Sequence, residues 1–420
     1  MSVDAGPRTL LSPAPTCAVA PPPDPAAPVQ WRALASFAVI GAALITYVGL
    51  QHGARQAVLL ALGVGLGVAL FHSRFGFTSA WRQLVAVGNG TGLRAHALLL
   101  GTTATLFALI IGTGTGVFGS TPAPSAGTLG VGLVLGAFLF GIGMQLGGAC
   151  ASGTLFAVGS GQGTIVLTLF GFITGSVLFT WGYPLVADLP ALPAVVLADH
   201  IGWFGSWAVT IVALLAVVLV SRVVQARRNP PPTAPAPAAS GAARILRGSW
   251  PMLVGALVLA ALGGAVLLVS GGAWGITSAF ALWGAKVLQA VGLHPETWAY
   301  WQQPAQAKSL AGPVLADKTS LTDIGIVIGA ALAATAGGAW IVRSSLPWRT
   351  ALAAVLGGII MGIGARLASG CNIGAYLAGI ASGSLSGWVW AVAALGGTWV
   401  GLRARGLFGL ANPRPSDSVC

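Results

Sequence analysis

The chain has 420 residues, of which 55% are hydrophobic and 7% charged, with a mean hydropathy of +0.86. A soluble domain carries about a quarter charged residues, so this composition excludes an ordinary soluble enzyme and points to a polytopic membrane protein. The net charge of +12 does not point to nucleic acid, because the basic residues sit in loops and helix ends, as the positive-inside rule of membrane proteins requires.

Residues 1–30 are rich in Pro and Ala and predict a disordered N-terminal tail without the continuous apolar stretch of a signal peptide. A leader transmembrane helix is expected over 31–54. Ten apolar runs could each supply the ~20 helical residues that cross a bilayer: near 33–50, 55–72, 95–116, 128–149, 164–186, 203–224, 250–269, 323–342, 351–370 and 386–403. Four shorter segments lie between them, near 77–88, 151–160, 277–290 and 371–382. They are too short to cross and suit re-entrant or half helices. Thr78-Ser79 and Thr277-Ser278 open two of them, where Ser or Thr suits an N-cap. The fold class expected is therefore an all-α polytopic membrane protein, with about ten transmembrane helices and four short re-entrant helices.

The chain also repeats itself. At an offset of 221, Val134–Ala157 and Val355–Ala378 share ten identities in 24 columns, including Cys150 and Cys371. At an offset of 199, Phe75–Trp81 matches Trp274–Phe280. The expected plan is a first repeat over 55–186, a connector with one helix over 187–224, and a Pro/Ala-rich linker over 225–247. A second repeat follows over 248–403, and a tail over 404–420. Arg222, Arg227, Arg228, Arg244 and Arg247 flank the linker and make it cytoplasmic. Threading outward from it puts Arg32, Arg74, Arg82, Arg94, Arg343, Arg349, Arg403, Arg405 and Arg414 inside as well, with Arg55 as the main exception. Both termini are then cytoplasmic in an inner (plasma) membrane protein. Residues 292–322 form a longer outer loop that could hold an amphipathic helix. Five spans separate the starts of the two copies, so they face opposite ways, the inverted plan frequent in transporters.

A short helix that begins inside a membrane aims free N–H groups and a positive dipole end at the protein centre, so four such ends could hold an anion without any basic side chain. The glycines beside the breaks, Gly148, Gly153, Gly370 and Gly374, would let backbone approach a substrate. Alternatively they only pack helices. Asn372 adjoins the second break. Cys150 and Cys371 are either small buried hydrophobes or matched thiols that meet a soft sulfur atom through weak S–H donation. Arg366 takes the repeat position of Gln145, five residues before the cysteine. A charge at that depth is costly and commonly functional, unless it snorkels to an interface. Lys286, in the 277–290 segment, is a candidate of the same kind. The five histidines lack metal-ligand spacing, no Walker loop occurs, and the cysteines form no CxxC or zinc pattern. No cofactor or metal is expected. Cys17 and Cys420 fall in the polar tails. Eight acidic residues, several in loops or tails, give a carboxylate proton relay little support.

The strings Gly141-Ile142-Gly143, Gly148-Ala149-Cys150, Met361–Gly364, Ser369–Gly374 and Ser73–Thr78 resemble the YeeE/YedE family of sulfur-compound transporters over roughly 55–403. Better-understood members of that family take up thiosulfate. The resemblance implies inverted halves meeting as an hourglass, with Cys150 and Cys371 passing thiosulfate along by S–H···S contacts and without large rocking. It also implies a small cytoplasmic sulfur-carrier protein as partner, a domain absent from this sequence. The family's Arg-Phe-Cys-Phe motif reads Arg74-Phe75-Gly76-Phe77 here, so Gly76 replaces a third cysteine. The expected protein is thus a thiosulfate transporter and not an enzyme. Its pathway is lined by Cys150, Cys371, Gly148, Gly153, Gly370, Asn372, Gly374, Gly76, Thr78, Ser79, Thr277, Ser278, Arg366 and Arg74. The alternatives are transport of another sulfur or selenium species, an anion channel, or a membrane thiol oxidoreductase. The last would need a disulfide between Cys150 and Cys371 during turnover.

Overall fold

A computed structural model describes residues 27–230, 241–342 and 347–413. The helices, numbered in chain order, are α1 (Trp31–His52), α2 (Ala54–Ser73), α3 (Phe77–Val87), α4 (Thr91–Gly112), α5 (Val131–Leu146), α6 (Ala151–Gly159), α7 (Gly163–Trp181) and α8 (Ala198–Arg228). Then come α9 (Ala243–Arg247), α10 (Met252–Ser270), α11 (Thr277–Ala290), α12 (Pro304–Ala311), α13 (Lys318–Ala336), α14 (Trp348–Leu367), a π-helical turn (Asn372–Leu377), α15 (Ala378–Ala381) and α16 (Leu385–Ala404). Among the described residues ten segments are long and apolar enough to cross a membrane. Lipid offers no partner for backbone polar groups, so each such run must satisfy its own as a helix. The chain is therefore an all-α, multi-pass membrane protein. Among the described residues the strands form a two-residue ladder pairing Leu129 with Leu192 and Gly130 with Ala191.

The two stretches of the chain interlock. α13 packs along α2, and α10 along α4; α16 packs along α5, and α14 along α7; α5 meets α14, and α2 meets α10. Exchanging each helix for its sequence counterpart reproduces the same set of pairs. Glycines make these contacts close. A side chain at Gly67 would strike the Ile326 carbonyl of α13, and one at Gly362 the Phe172 carbonyl of α7. Packing by small residues is what holds helices together when the solvent is as apolar as the side chains. Buried rings also run across the centre: Phe77, Tyr376, Trp390, Phe140, Phe172 and Phe280 succeed one another with centroids 4.9–6.1 Å apart, inside the ~4.5–7 Å range of favourable aromatic pairs. They join α3, the π-turn, α16, α5, α7 and α11 into one core.

Several boundaries differ from the sequence expectation. The span expected over 323–342 begins five residues earlier, because Asp317 caps α13 by accepting from the Ser320 N–H at 2.8 Å. Residues 27–30, expected in the N-terminal tail, are tied to the bundle: Gln30 donates to the Thr335 and Trp340 carbonyls. The expected linker carries helix at both ends, since α8 runs to Arg228 and α9 covers Ala243–Arg247. Residues 1–26, 231–240, 343–346 and 414–420, with Cys17, Cys420, Arg343 and Arg414, lie outside the described residues. The 292–322 loop does hold a helix, α12. Arg55, the outlier in the charge pattern, donates to the Val269 and Ser270 carbonyls at 3.0 and 2.7 Å. It thereby caps the negative end of α10.

Candidate functional site

All four short segments form short helices: α3, α6, α11, and the π-turn that runs into α15. Cys150 is the N-cap of α6 and Cys371 the N-cap of the π-turn, each in extended backbone. The Cys150 carbonyl accepts from the Thr154 N–H at 2.8 Å, and the Cys371 carbonyl from the Ala375 N–H at 2.9 Å, so each cysteine opens its helix. Their side chains are 2% and 1% exposed, and both thiols are free. The Cys150 sulfur lies 3.4 Å from the Ser152 hydroxyl. The Cys371 sulfur faces the N–H groups of Ile373 and Gly374, within electrostatic range of the Cys150 thiol and the Asp323 carboxyl. The amides of a helix start therefore lie beside the Cys371 sulfur. A π-helical turn is rare and frequent at functional sites.

The residue before each break takes the left-handed conformation in both copies: Gly148 at φ 84° and its repeat equivalent Ser369 at φ 58°. Gly370 follows at φ 152°, where a Cβ would sit 2.8 Å from the Ala375 nitrogen. Gly153 lies over Cys150, since a Cβ there would stand 3.5 Å from the sulfur. The Gly374 carbonyl accepts from Ser125 Oγ at 3.4 Å, and its Cβ position lies 3.9 Å from Gly275 Cα. Both Asn372 side-chain atoms, and Thr78 Oγ1, are buried with no hydrogen-bond partner among the described residues.

The hydroxyls expected as N-caps do not cap. Gly76 and Ile276 occupy the cap positions of α3 and α11, and neither helix has a side-chain cap. Ser79 Oγ donates to the Gly76 carbonyl at 3.2 Å instead. The exposed Ser278 donates to Thr319 Oγ1 at 3.0 Å. Thr277 is engaged by Arg366, whose Nη2 donates to Thr277 Oγ1 at 2.7 Å while Nη1 donates to the Tyr300 hydroxyl at 3.3 Å. In the first copy Gln145 Nε2 donates to the Thr78 carbonyl at 3.5 Å, and Gln145 Oε1 accepts from Arg82 Nε at 2.9 Å. Arg405 Nη1 donates to the Gln145 carbonyl at 2.7 Å. Arg74 is the C-cap of α2, 5.1 Å above the Phe71 ring. Lys286 is half-buried on α11.

Two residues at the centre were not singled out from the sequence. Asp323 is 0% exposed, with neither carboxyl oxygen hydrogen-bonded among the described residues. His96 is also 0% exposed, and packs 4.4 Å from the Phe77 ring and 5.3 Å from Phe75. Each is the sixth residue of its helix, α4 for His96 and α13 for Asp323, and these helices are counterparts in the two copies. An ionisable residue inside an apolar run is the available signal. It was lost because the span containing Asp323 was expected to begin there.

A family profile described as sulphur transport matches residues 72–400. The chain is 35% identical over 135 residues to "Probable transporter YedE" of Escherichia coli (strain K12), covering 32% of this chain and 33% of that protein. The protein of the same name from Salmonella typhimurium is 36% identical over 135 residues, with the same coverage. "Thiosulfate transporter TsuA" of Spirochaeta thermophila is 40% identical over 76 residues, covering 18% of this chain and 23% of that protein. The chain thus spans about a third or less of the length of the curated relatives it matches.

Proposed function

The chain belongs to the sulphur transport family, and on that premise we propose that it carries a small sulfur-containing anion, thiosulfate foremost, across the inner membrane. The passage is lined by Cys150 and Cys371 and by the starts of the four short helices. The observation that carries this reading is the pair of buried cysteines with free thiols, each at the N-cap position of a short helix. Helix-start amides favour an anion, and neutral S–H groups are weak donors suited to a soft terminal sulfur. The partnerless Asn372 amide and Thr78 hydroxyl are further groups that an entering oxyanion would satisfy. The thiosulfate transporter of Spirochaeta thermophila supports this substrate. The interlocking helix pairs support two oppositely oriented copies, with the arginine-flanked linker and both termini on the cytoplasmic side. A small sulfur-carrier protein would receive the anion there. The protein acts as a transporter and not as an enzyme.

Uptake of radiolabelled thiosulfate by cells lacking their own uptake systems tests this. Expression of the chain restores uptake and growth on thiosulfate as sole sulfur source, and Cys371→Ala abolishes both. Parental rates in that variant would reject the role of the thiol. Gly76 favours a second reading, another sulfur or selenium oxyanion, because the family's third thiol is missing on the α3 side. Competition by sulfite and selenite against labelled thiosulfate distinguishes the two.

A further inference from the structure

The buried carboxyl of Asp323 has no role in the anion passage as drawn so far. It lies at the sixth residue of α13, about 7 Å inside the helix start at 1.5 Å per residue. One turn before it, the hydroxyls of Thr319 and Ser320 accept from Ser278 and from Trp283 Nε1 of α11. One turn after it, Val327 presents its carbonyl to Gly159 of α6. Asp323 therefore stands between two of the short helices, within electrostatic range of the Cys371 thiol. It is fully buried and neither oxygen is bonded among the described residues. An isolated carboxylate in such a place is among the costliest groups a protein can bury. Inside a membrane such residues mark ion and proton pathways.

Among the described residues none forms an ion pair or hydrogen bond with it. Its own helix offers Lys318 and the capping Asp317, α2 offers Arg55, α11 Lys286, α1 His52 and Tyr47, and the helix starts Cys150 and Cys371. Arg55 is spent on the Val269 and Ser270 carbonyls. His72 of α2, Arg32 of α1, and Arg244 and Arg247 of α9 lie toward the opposite end of α13, where Gln30 meets Thr335. The counterpart helix carries His96 at the same sixth position, also fully buried. Both copies thus bury a titratable side chain at the sixth position of this helix.

Resting on the anion-transport reading above, we infer that Asp323 is a proton-binding site that couples anion movement to proton movement. The coupling is by charge. A dianion can occupy the Cys371 helix start only while the Asp323 carboxyl oxygen holds a proton, because a carboxylate there would repel it. Anion and proton then enter together from one side. On release, the proton leaves the carboxyl with the anion on the other side, so that one proton crosses with each anion and no bond other than O–H is broken.

The test uses the purified full-length chain in liposomes with an internal pH dye. Wild-type protein acidifies the interior as labelled thiosulfate enters, and an acid-outside gradient raises uptake several-fold. The near-isosteric Asp323→Asn exchanges thiosulfate between preloaded liposomes and medium, yet loses both the acidification and the response to the gradient. Wild-type uptake without acidification, or undiminished acidification by Asp323→Asn, overturns the inference and leaves anion transport standing. A wild-type chain that moves no thiosulfate fails the transport reading instead. The proton site is then decided without substrate by infrared spectroscopy: a carboxylic-acid C=O stretch at neutral pH that Asp323→Asn removes supports it, and a wild-type spectrum without that band overturns it. If Asp323→Asn does not fold, Asp323→Ser takes its place in both assays, with the same outcomes.

Discussion

Arg366 holds Thr277: its Nη2 donates to Thr277 Oγ1 at 2.7 Å, tying the end of α14 to the first residue of α11. Gln145, its repeat equivalent, reaches the Thr78 carbonyl at the start of α3. In both copies the residue five positions before the cysteine anchors the other short helix of its own half. A side chain that looked like a substrate ligand in the sequence is thus also a clamp between the two helix starts. Arg366→Ala removes a charged hydrogen-bond pair worth about 1.5–3 kcal/mol. A lowered melting temperature in detergent and impaired thiosulfate uptake are expected together. Thr277→Val, which removes only the acceptor, should reproduce most of the uptake loss. Unchanged uptake in both variants would count against the clamp.

The family resemblance of the sequence implies a cysteine where this chain has Gly76, and the structure says what a side chain there would meet. Its Cβ would lie 2.8 Å from Ser79 Oγ, closer than real Cβ contacts allow. Gly76→Cys alone should crowd the start of α3 and weaken transport. Gly76→Cys combined with Ser79→Ala relieves the contact and is expected to transport thiosulfate at or above the parental rate. The comparison is initial uptake rate in the two variants against wild type. A double variant no better than the single one would show that Ser79 is not the obstacle.

Gly370 and Ser369 form the strained corner before Cys371. Gly370→Ala meets the Ala375 nitrogen and a backbone conformation disfavoured for side chains, so a loss of about 1–3 kcal/mol is expected. Ser369 is already a non-glycine at φ 58°. Ser369→Gly should relieve part of the roughly 1–2 kcal/mol that a left-handed residue costs. Thermal unfolding of the two variants, read side by side, should move in opposite directions.

The cap of α13 separates stability from transport. Asp317→Ala removes the acceptor for the Ser320 N–H and should cost about 1 kcal/mol while leaving the uptake rate per folded molecule near wild type. A transport defect larger than the loss of folded protein would assign Asp317 a second task.

Thiol trapping followed by mass spectrometry separates relay from redox chemistry. Cys150 and Cys371 are expected to stay free throughout turnover with thiosulfate, as both are in this structure. A disulfide accumulating with substrate would move the protein into the oxidoreductase class.

Ten membrane-spanning segments, four short helices, and a cysteine opening one short helix in each copy were all legible in the chain. Each depends on local facts: an apolar run long enough to span, a glycine-rich interruption, a string repeated at a fixed offset. Lipid forces every such run to close its own backbone hydrogen bonds, so composition alone determines that the protein is a helical membrane bundle. Partnership and burial were not legible. Only the folded chain decides that Thr277 answers Arg366 instead of capping its helix, that Arg74 stays with Phe71, and that Asp323 is fully buried with neither oxygen hydrogen-bonded among the described residues. These outcomes depend on which distant segments approach, and helix pairing through glycine contacts is a property of whole surfaces that no window of sequence contains.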